Sequence, residues 1–337
     1  GNIPARRILK ELGFENVYVV KEQELPDGDF PTVSYPNPEA AEAFELGLKL
    51  AKEVDADLVL ATDPDADRLG VRVKDKNGEY HDLTGNMSGC LLANYEISQR
   101  KAVNGSLPED GALIKTIVTT NLADAIAKGY GVNLIEVLTG FKFIGQQILG
   151  FENSGKGTYL FGFEESYGCL IGTYARDKDA IVATMALCEA AAYYKTQGKT
   201  LWDAMIEMYD QFGYYKDAIQ SVTMKGIEGL QKIQEIMNSL RQNPPAEFAG
   251  HKVTAVRDYK ADTITDVATG AVKPTGLPNS NVLYYELTDD AWVCVRPSGT
   301  EPKVKFYYGV KGTSLADADE KSDIMGKAVL DMVDSMK

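Results

Sequence analysis

Residues 58–73 read LVLATDPDADRLGVRV, an apolar run that stops at three carboxylates and then resumes. Asp63, Asp65 and Asp67 stand two residues apart, so an extended backbone would point all three side chains the same way. Pro64 fixes its own φ and biases Asp63 toward an extended conformation. We therefore predict a strand at 58–61 that ends in a loop of convergent carboxylates.

Such a loop is typical of a metal site, because neighbouring carboxylates repel one another unless a cation lies among them. Hard oxygen ligands suit Mg²⁺ or another oxygen-preferring divalent ion. An EF-hand would need Gly and Glu where this chain has Arg68 and Lys74, so that interpretation fails. A solvated acidic turn is the alternative. Arg68 beside the acids favours a site that also receives an anionic group such as a phosphate.

The order of predicted elements sets the fold class. A chain of 337 residues is too long for one core, so two or three domains are expected. Helices and strands alternate up to residue 212, and consecutive strands with turn-rich loops follow. We predict mixed-sheet α/β domains plus a C-terminal α+β domain with an antiparallel sheet. The predicted domains are 1–83, carrying the aspartates, 84–212 and 213–337.

Within the first domain the pattern predicts a helix at 5–13, a strand at 16–20 and a helix at 36–54 that begins near Asn37. With the strand at 58–61 these elements fit a parallel arrangement. The chain opens on a helix with no strand before it, so we expect an α/β domain that is entered partway. Further along, a long Ala-rich helix with an Asp cap is predicted at 177–196.

Composition excludes several classes of protein. The net charge is −14 and no basic stripe is present, so nucleic acid is not an expected partner. The four cysteines lack CxxC spacing, which indicates reduced thiols of a cytosolic protein, not a zinc site or a disulfide framework. No apolar run approaches about 18 residues and no signal peptide is apparent. We expect a soluble, cytoplasmic protein without a membrane partner, and the sequence defines no oligomeric state.

Two further loops carry groups suited to a sugar phosphate. Residues 162–168 read GFEESYG, where Glu164, Glu165 and Ser166 could hydrogen-bond adjacent sugar hydroxyls. A solvated turn is the alternative for this loop. Residues 139–142 read TGFK, where helix-start N–H groups and Lys142 suit a phosphate or sugar oxygen. By itself this second motif is equally a helix start with a surface lysine.

A third loop, residues 296–303, reads RPSGTEPK between two predicted strands. Arg296 offers a bidentate fork and Ser298 and Thr300 offer hydroxyls. Backbone N–H groups near Gly299 can form an anion-binding nest. A hairpin loop with incidental polar residues is the alternative.

In chain order the motifs are ATDPDADRLGV, TGFK, GFEESYG followed by RDKDA, and RPSGTEPK. This set closely resembles the α-D-phosphohexomutase superfamily, and most of all its bacterial α-phosphoglucomutases and phosphoglucomutase/phosphomannomutases. The upstream EQELPDGDFPTVSYPNPEA is similar to the second domain of those enzymes. The resemblance covers essentially the whole chain, and the order of the motifs is more specific than any one of them.

The resemblance implies roles for individual residues. Asp63, Asp65 and Asp67 would bind the essential Mg²⁺, and Arg68 would lie beside the phosphoryl-transfer centre. The implied partners are hexose phosphates and glucose 1,6-bisphosphate. The residues that would bind these sugar phosphates are Lys142, Glu164, Ser166, Arg176, Lys178, Arg296, Ser298, Gly299 and Thr300.

The implied activity is the interconversion of hexose 1-phosphate and hexose 6-phosphate through a phosphoserine and a 1,6-bisphosphate intermediate. Glucose is the first expectation for the hexose, and mannose stays open. Members of the superfamily carry the serine in a TASHNP-like loop of a first domain, and no such loop occurs in these residues. We therefore expect a fragment without the serine, inactive by itself.

Two other functions are weighed against this one. The chain could be a non-catalytic sugar-phosphate or metal-binding module that never had a first domain. It could also be a haloacid-dehalogenase-type phosphatase with Asp63 as nucleophile. That pattern wants Thr or Val at position 67, where this chain has Asp67, so the phosphatase is disfavoured.

Overall fold

The structure is a computed structural model that describes residues 1–224, 226–298 and 302–336. The chain divides into two compact units. The first unit consists of Gly1–Thr119 and Ala123–Phe212. The second unit consists of Thr120–Leu122 and the residues from Gly213 onward. The predicted boundaries of three domains, at residues 83 and 212, stay a prediction.

Helices occur in both units. The helices are α1 Asn2–Glu11, α2 Lys21–Glu24, α3 Glu45–Val54, α4 Gly85–Asn104, α5 Leu122–Tyr130, α6 Phe141–Ser154, α7 Ala180–Lys195, α8 Leu201–Phe212, α9 Gly226–Gln242 and α10 Leu315–Ser335. A short 3₁₀ helix, Ala41–Phe44, precedes α3. Within the described ranges, no helix combines the length and apolar character needed to cross a membrane.

The strands form three sheets in the described part of the chain. The strands are β1 Leu58–Thr62, β2 Leu69–Lys74, β3 Tyr80–Leu83, β4 Gly111–Thr116, β5 Asn133–Val137, β6 Thr158–Glu164, β7 Gly168–Leu170, β8 Tyr214–Thr223, β9 Glu247–Phe248, β10 His251–Asp258, β11 Thr263–Asp266, β12 Val272–Lys273, β13 Leu283–Leu287, β14 Trp292–Pro297 and β15 Lys303–Gly312. The predicted strand before the aspartates is confirmed as β1.

The first sheet has the order β1-β2-β3, and both pairings are antiparallel. Thr62 pairs with Leu69, so the aspartates occupy the connection between two adjacent strands. A parallel pair would need a crossover of a dozen or more residues, and residues 63–68 are too few for one. The predicted parallel arrangement, which placed the strand at 58–61 with one at 16–20, is also wrong, because residues 16–20 form no strand.

The second sheet has the order β5-β4-β6-β7, with β4 parallel to β5 and β6 and with β7 antiparallel to β6. Every residue of β4 is buried, as expected for a parallel strand covered on both faces. Apolar side chains of α6 pack against this sheet and form part of the core. The core cluster consists of Ile114, Val137, Phe141, Ile144, Ile148, Tyr159 and Leu170.

The second unit is built on an antiparallel sheet of order β12-β11-β10-β13-β14-β15-β8, and β9 pairs with β10. Side chains of α9 and α10 form its core with alternate residues of the strands. Examples from this core are Met237, Val293, Phe306 and Val329. The mixed α/β sheet followed by an antiparallel α+β unit confirms the predicted fold class.

Some predicted element bounds are wrong. Residues 16–20 form no strand, because no strand of the described part of the chain pairs with them. The Val20 carbonyl instead accepts from the Gln23 N–H at 3.0 Å, and Tyr18 is 56% exposed. The helix predicted from 36 begins later, because Asn37 Oδ1 accepts from the Glu39 N–H at 3.0 Å and closes a turn first. The helix predicted from 177 begins at Ala180, where Asp179 is the N-cap.

Candidate functional site

The three aspartates lie on a tight turn, here called the aspartate loop (residues 63–68). Ala66 adopts a left-handed φ of 59°, and its N–H donates to the Asp63 carbonyl at 3.1 Å. The predicted extended backbone is wrong, because the chain must reverse direction between β1 and β2. The predicted convergence nevertheless occurs: one carboxylate oxygen from each of Asp63, Asp65 and Asp67 lies within 4.8 Å of the others.

Asp63 holds the aspartate loop closed. Its Oδ1 accepts from the backbone N–H groups of Asp67 at 3.1 Å and Arg68 at 3.0 Å, and its Oδ2 accepts from Arg68 Nε at 2.8 Å. The residue is 2% exposed. Burial alone would raise the pKa of Asp63, but the bonds from Arg68 and Asp67 outweigh it and lower that pKa. Asp63 is therefore ionised and well ordered by its donors.

One oxygen of Asp67 is engaged at hydrogen-bond distance and the other accepts no hydrogen bond from the described residues. Lys178 Nζ lies 2.7 Å from Oδ2, whereas Oδ1 is buried without a hydrogen-bond partner. Burial raises the pKa of Asp67 despite the opposing charge of Lys178. A buried, unpartnered carboxylate oxygen beside two further carboxylates is a donor set that fits a hard divalent cation. Asp65, the third member, is exposed.

Arg68 connects the aspartates to a residue that the sequence did not single out. Its Nη1 lies 3.5 Å from Glu39 Oε1, and its Nε lies 3.6 Å from Asp67 Oδ1. The side chain is 31% exposed. The guanidinium is thus oriented by carboxylates and retains an exposed edge that an anion can reach.

The motifs TGFK and GFEESYG meet at Glu164. Its Oε1 accepts from the Gly140 N–H at 2.8 Å, immediately before α6. The side chain is buried, with 4% of the residue exposed. Burial, and then the charge of Glu165, raise the pKa of Glu164 from 4.5 to about 7, against the opposing effects of Lys178 and the Gly140 N–H. Glu164 therefore exchanges a proton near neutral pH.

The neighbouring Glu165 turns toward the end of β4. Its Oε2 accepts from Thr116 Oγ1 at 3.2 Å and from Thr119 Oγ1 at 3.4 Å. Sequence reasoning missed both threonines, although the polar TIVTT that ends a buried strand is a signal for them. The two glutamates are thus held by different elements.

Two backbone hydrogen bonds join the loops of the first unit. The Leu69 N–H donates to the Tyr167 carbonyl at 2.9 Å, which ties β2 to the glutamate loop (residues 162–168). The Ala180 N–H donates to the Ala66 carbonyl at 3.0 Å, which ties the start of α7 to the aspartate loop. These bonds bring stretches that are far apart in sequence to one place.

The other predicted site residues of the first unit are more loosely placed. Lys142 is exposed, with Nζ 5.0 Å from the centre of the Phe143 ring, and Ser166 is half-buried. Arg176 pairs with Glu152 and donates to two carbonyls of its own loop. An open cleft is lined by Asp65, Ala66, Asp67, Arg176, Asp177 and Lys178.

In the second unit, Arg296 is the penultimate residue of β14 and lies directly opposite Lys305 of β15. The Ser298 N–H donates to the Lys303 carbonyl at 2.8 Å, which closes the base of the loop. The predicted ligands Gly299 and Thr300 lie outside the described residues.

Three family models match the chain. Residues 1–78 match the phosphoglucomutase/phosphomannomutase alpha/beta/alpha domain II, and residues 84–212 match domain III. Residues 237–326 match the phosphoglucomutase/phosphomannomutase C-terminal domain. The three matches fall in the same chain order as the sequence motifs.

Named relatives agree. The chain is 38% identical over 318 residues to phosphoglucomutase of Staphylococcus aureus strain MRSA252, covering 94% of the chain and 56% of that relative. It thus spans a little over half of the relative's length. A phosphoglucomutase/phosphomannomutase family protein from Burkholderia thailandensis shares the fold at a TM-score of 0.59 and 20% identity, over 96% of this chain and 57% of that one. Parafusin, a phosphoglucomutase from Paramecium, also shares the fold, with a TM-score of 0.57 and 18% sequence identity. That likeness covers 90% of this chain and 52% of parafusin. The chain belongs to the phosphoglucomutase/phosphomannomutase family.

Proposed function

We propose that this protein interconverts hexose 1-phosphate and hexose 6-phosphate, with glucose as the preferred hexose and mannose as the alternative. The observation that carries the proposal is the meeting of three aspartates, Arg68 and Lys178 within one unit of a chain from this family. Two fixed cations beside a cluster able to hold a metal suit a phosphate group that changes its attachment.

We assign the metal site to Asp63, Asp65 and Asp67, and the ion to Mg²⁺. The assignment is supported by the all-carboxylate donor set and by the unpartnered Oδ1 of Asp67. When bound, Mg²⁺ would neutralise charge on the phosphoryl group. Arg68 would act beside it, its guanidinium oriented by Asp63 and open to an anion on its exposed edge.

The sugar is assigned to the glutamate loop. Glu164 and Ser166 would hydrogen-bond ring hydroxyls, with Lys142 and the Arg176–Lys178 segment beside the sugar phosphate. The sugar must bind in two orientations during the reaction. The same protein groups therefore have to accept hydrogen bonds from a different pair of ring hydroxyls in each orientation. A carboxylate suits that requirement, since each oxygen accepts more than one hydrogen bond.

The phosphate that is not transferred is assigned to Arg296, Ser298, Gly299 and Thr300. This clamp must hold either phosphate of the substrate, so it would grip a tetrahedral dianion without reading its attachment. A bidentate arginine and a loop of hydroxyl and backbone donors suit that task.

The proposed cycle uses a phosphoserine, which the family resemblance assigns to a TASHNP-like loop. The phosphoryl group would leave the serine oxygen and bond to the oxygen of the free sugar hydroxyl, whose proton would pass overall to the serine oxygen. The resulting 1,6-bisphosphate would turn round and return its other phosphoryl group to the serine. We also propose a cytoplasmic location, supported by four free cysteines: Cys90, Cys169, Cys188 and Cys294.

The test is an assay of the gene product that contains these residues, with glucose 1-phosphate or mannose 1-phosphate as substrate and a trace of glucose 1,6-bisphosphate. We expect conversion of both, with the larger kcat/KM for glucose 1-phosphate. A larger value for mannose 1-phosphate would reverse the proposed preference. Conversion of neither substrate in the presence of Mg²⁺ would refute the mutase.

A further inference from the structure

Lys178 occupies a position that the proposed metal site makes significant. Its ammonium lies 2.7 Å from Asp67 Oδ2, closer than its 3.4 Å approach to the adjacent Asp177. The Lys178 side chain is 15% exposed, so this ion pair is only weakly screened by solvent. Asp67, which we assign as a ligand of the metal ion, is thus already paired with the ammonium of Lys178.

Gly168, the last residue of GFEESYG, provides the path for this lysine. A Cβ at Gly168 would lie 2.0 Å from Lys178 Cδ and 2.7 Å from its Cγ. The aliphatic stem of Lys178 therefore fills the space that a larger residue would occupy. The glycine in one motif and the lysine in the next are complementary, and together they aim the ammonium at the aspartate loop.

The charge of Lys178 also acts on Glu164. Although burial dominates the raised pKa of Glu164, the charge of Lys178 counteracts it, and Glu164 in turn favours the charged form of Lys178. The charge of Lys178 therefore acts on a carboxylate of each loop, and its closest ion pair, at 2.7 Å, is with Asp67.

We propose that Lys178 is the internal counter-cation of the aspartate loop and that it competes with a divalent cation for Asp67. Two cations at one carboxylate repel each other, so metal binding displaces the ammonium from Asp67 toward the anionic substrate. This inference rests on the proposed metal site. It assigns Lys178 a positioning role: its ammonium is directed to the substrate only when the metal is present.

Isothermal titration calorimetry of Mg²⁺ tests the competition without any assay of activity. Lys178→Met removes the competing charge, and we expect about tenfold tighter Mg²⁺ binding. Gly168→Ala keeps the charge but obstructs the lysine stem, so it should tighten binding in the same direction. Lys178→Arg keeps a cation and should stay near the wild-type affinity. Lys195→Met, which removes an exposed lysine paired with Asp57, is the control for net charge and should change nothing.

Thermal melts of each variant show that it is folded before titration. Unchanged or weaker Mg²⁺ binding by folded Lys178→Met, with normal binding by the wild type, would overturn the competition and leave the proposed function standing. Equal tightening in Lys195→Met would also overturn it, because net charge would then explain the effect. A wild-type protein that binds no Mg²⁺ would refute the metal site itself.

Discussion

The Gly140 N–H donates a 2.8 Å hydrogen bond to Glu164 Oε1, so the start of α6 holds the buried carboxylate of the glutamate loop. This single bond joins two motifs separated by more than twenty residues. It also supplies a hydrogen bond to a carboxylate that is almost inaccessible to water.

Glu164 predicts a pH dependence of stability. Its pKa is about 7 in the folded protein against 4.5 for the ordinary group, so the folded state binds the extra proton between these values. Its contribution is complete below pH 4.5 and is lost as the pH rises through 7, on the order of 3 kcal/mol in the free energy of unfolding. Urea denaturation of Glu164→Gln should show a flatter profile than the wild type over this range. The exposed Glu53→Gln is the control, and an equally flat profile there would contradict the prediction.

Asp63 and Asp65 should separate loop stability from metal binding. Asp63→Asn removes the charged acceptor of three hydrogen bonds and should lower the free energy of unfolding by about 2–4 kcal/mol without any metal. Asp65→Asn changes an exposed carboxylate, so its metal-free stability should stay within about 0.5 kcal/mol of the wild type. Chemical denaturation with a chelator measures both. Equal losses would show that Asp63 does not hold the loop.

We also expect Asp65 to contribute to the affinity of the site for Mg²⁺. Asp65→Asn should weaken Mg²⁺ binding in titration calorimetry, because it removes a charged oxygen ligand from a folded site. An affinity equal to that of the wild type would contradict the assignment of Asp65 as a ligand. Because the metal-free stability of this variant is expected to match that of the wild type, weaker binding would not be due to unfolding.

We expect that position 85, which packs against the glutamate loop, tolerates no side chain larger than that of glycine. A Cβ at this position would lie 2.2 Å from the Glu165 carbonyl oxygen and 2.5 Å from the Tyr167 backbone nitrogen. Because neither backbone atom can rotate away, Gly85→Ala should destabilise by about 1–3 kcal/mol. Gly150→Ala, inside α6 with no atom in its way, should stabilise by about 0.5–1 kcal/mol. Thermal unfolding of the two variants should shift in opposite directions, and parallel shifts would refute the steric explanation.

Arg296 predicts a loss of substrate affinity that leaves the metal site intact. Arg296→Met removes the bidentate donor of the proposed clamp, so glucose 1-phosphate should bind about 10- to 100-fold more weakly to the gene product. Calorimetry with Mg²⁺ should give the wild-type affinity. Lys273→Met, an exposed cation of the same unit, is the matched control. A similar loss in the control would assign the effect to general charge.

Much of the fold could be predicted because local pattern and final environment agree. The buried β4 contains the apolar run of residues 112–114, and α10 begins directly after its N-cap Ser314, whose hydroxyl accepts from the Asp317 N–H. The segment at 16–20 fails for the opposite reason. Its β-branched residues favour an extended chain, but a strand exists only where a neighbour pairs with it, and pairing is not a property of the segment.

Residue types alone define which groups could form a site: three aspartates after an apolar strand, an arginine beside them and a glutamate pair at the end of another strand. How these groups meet depends on the way the strands pair and the loops pack. The carboxylates converge through a reversed chain at Ala66, because β1 and β2 are antiparallel neighbours. Lys178 reaches Asp67 because Gly168 leaves room for it. Residue type is local information, whereas the distance between side chains remote in sequence is set only when strands pair and loops pack.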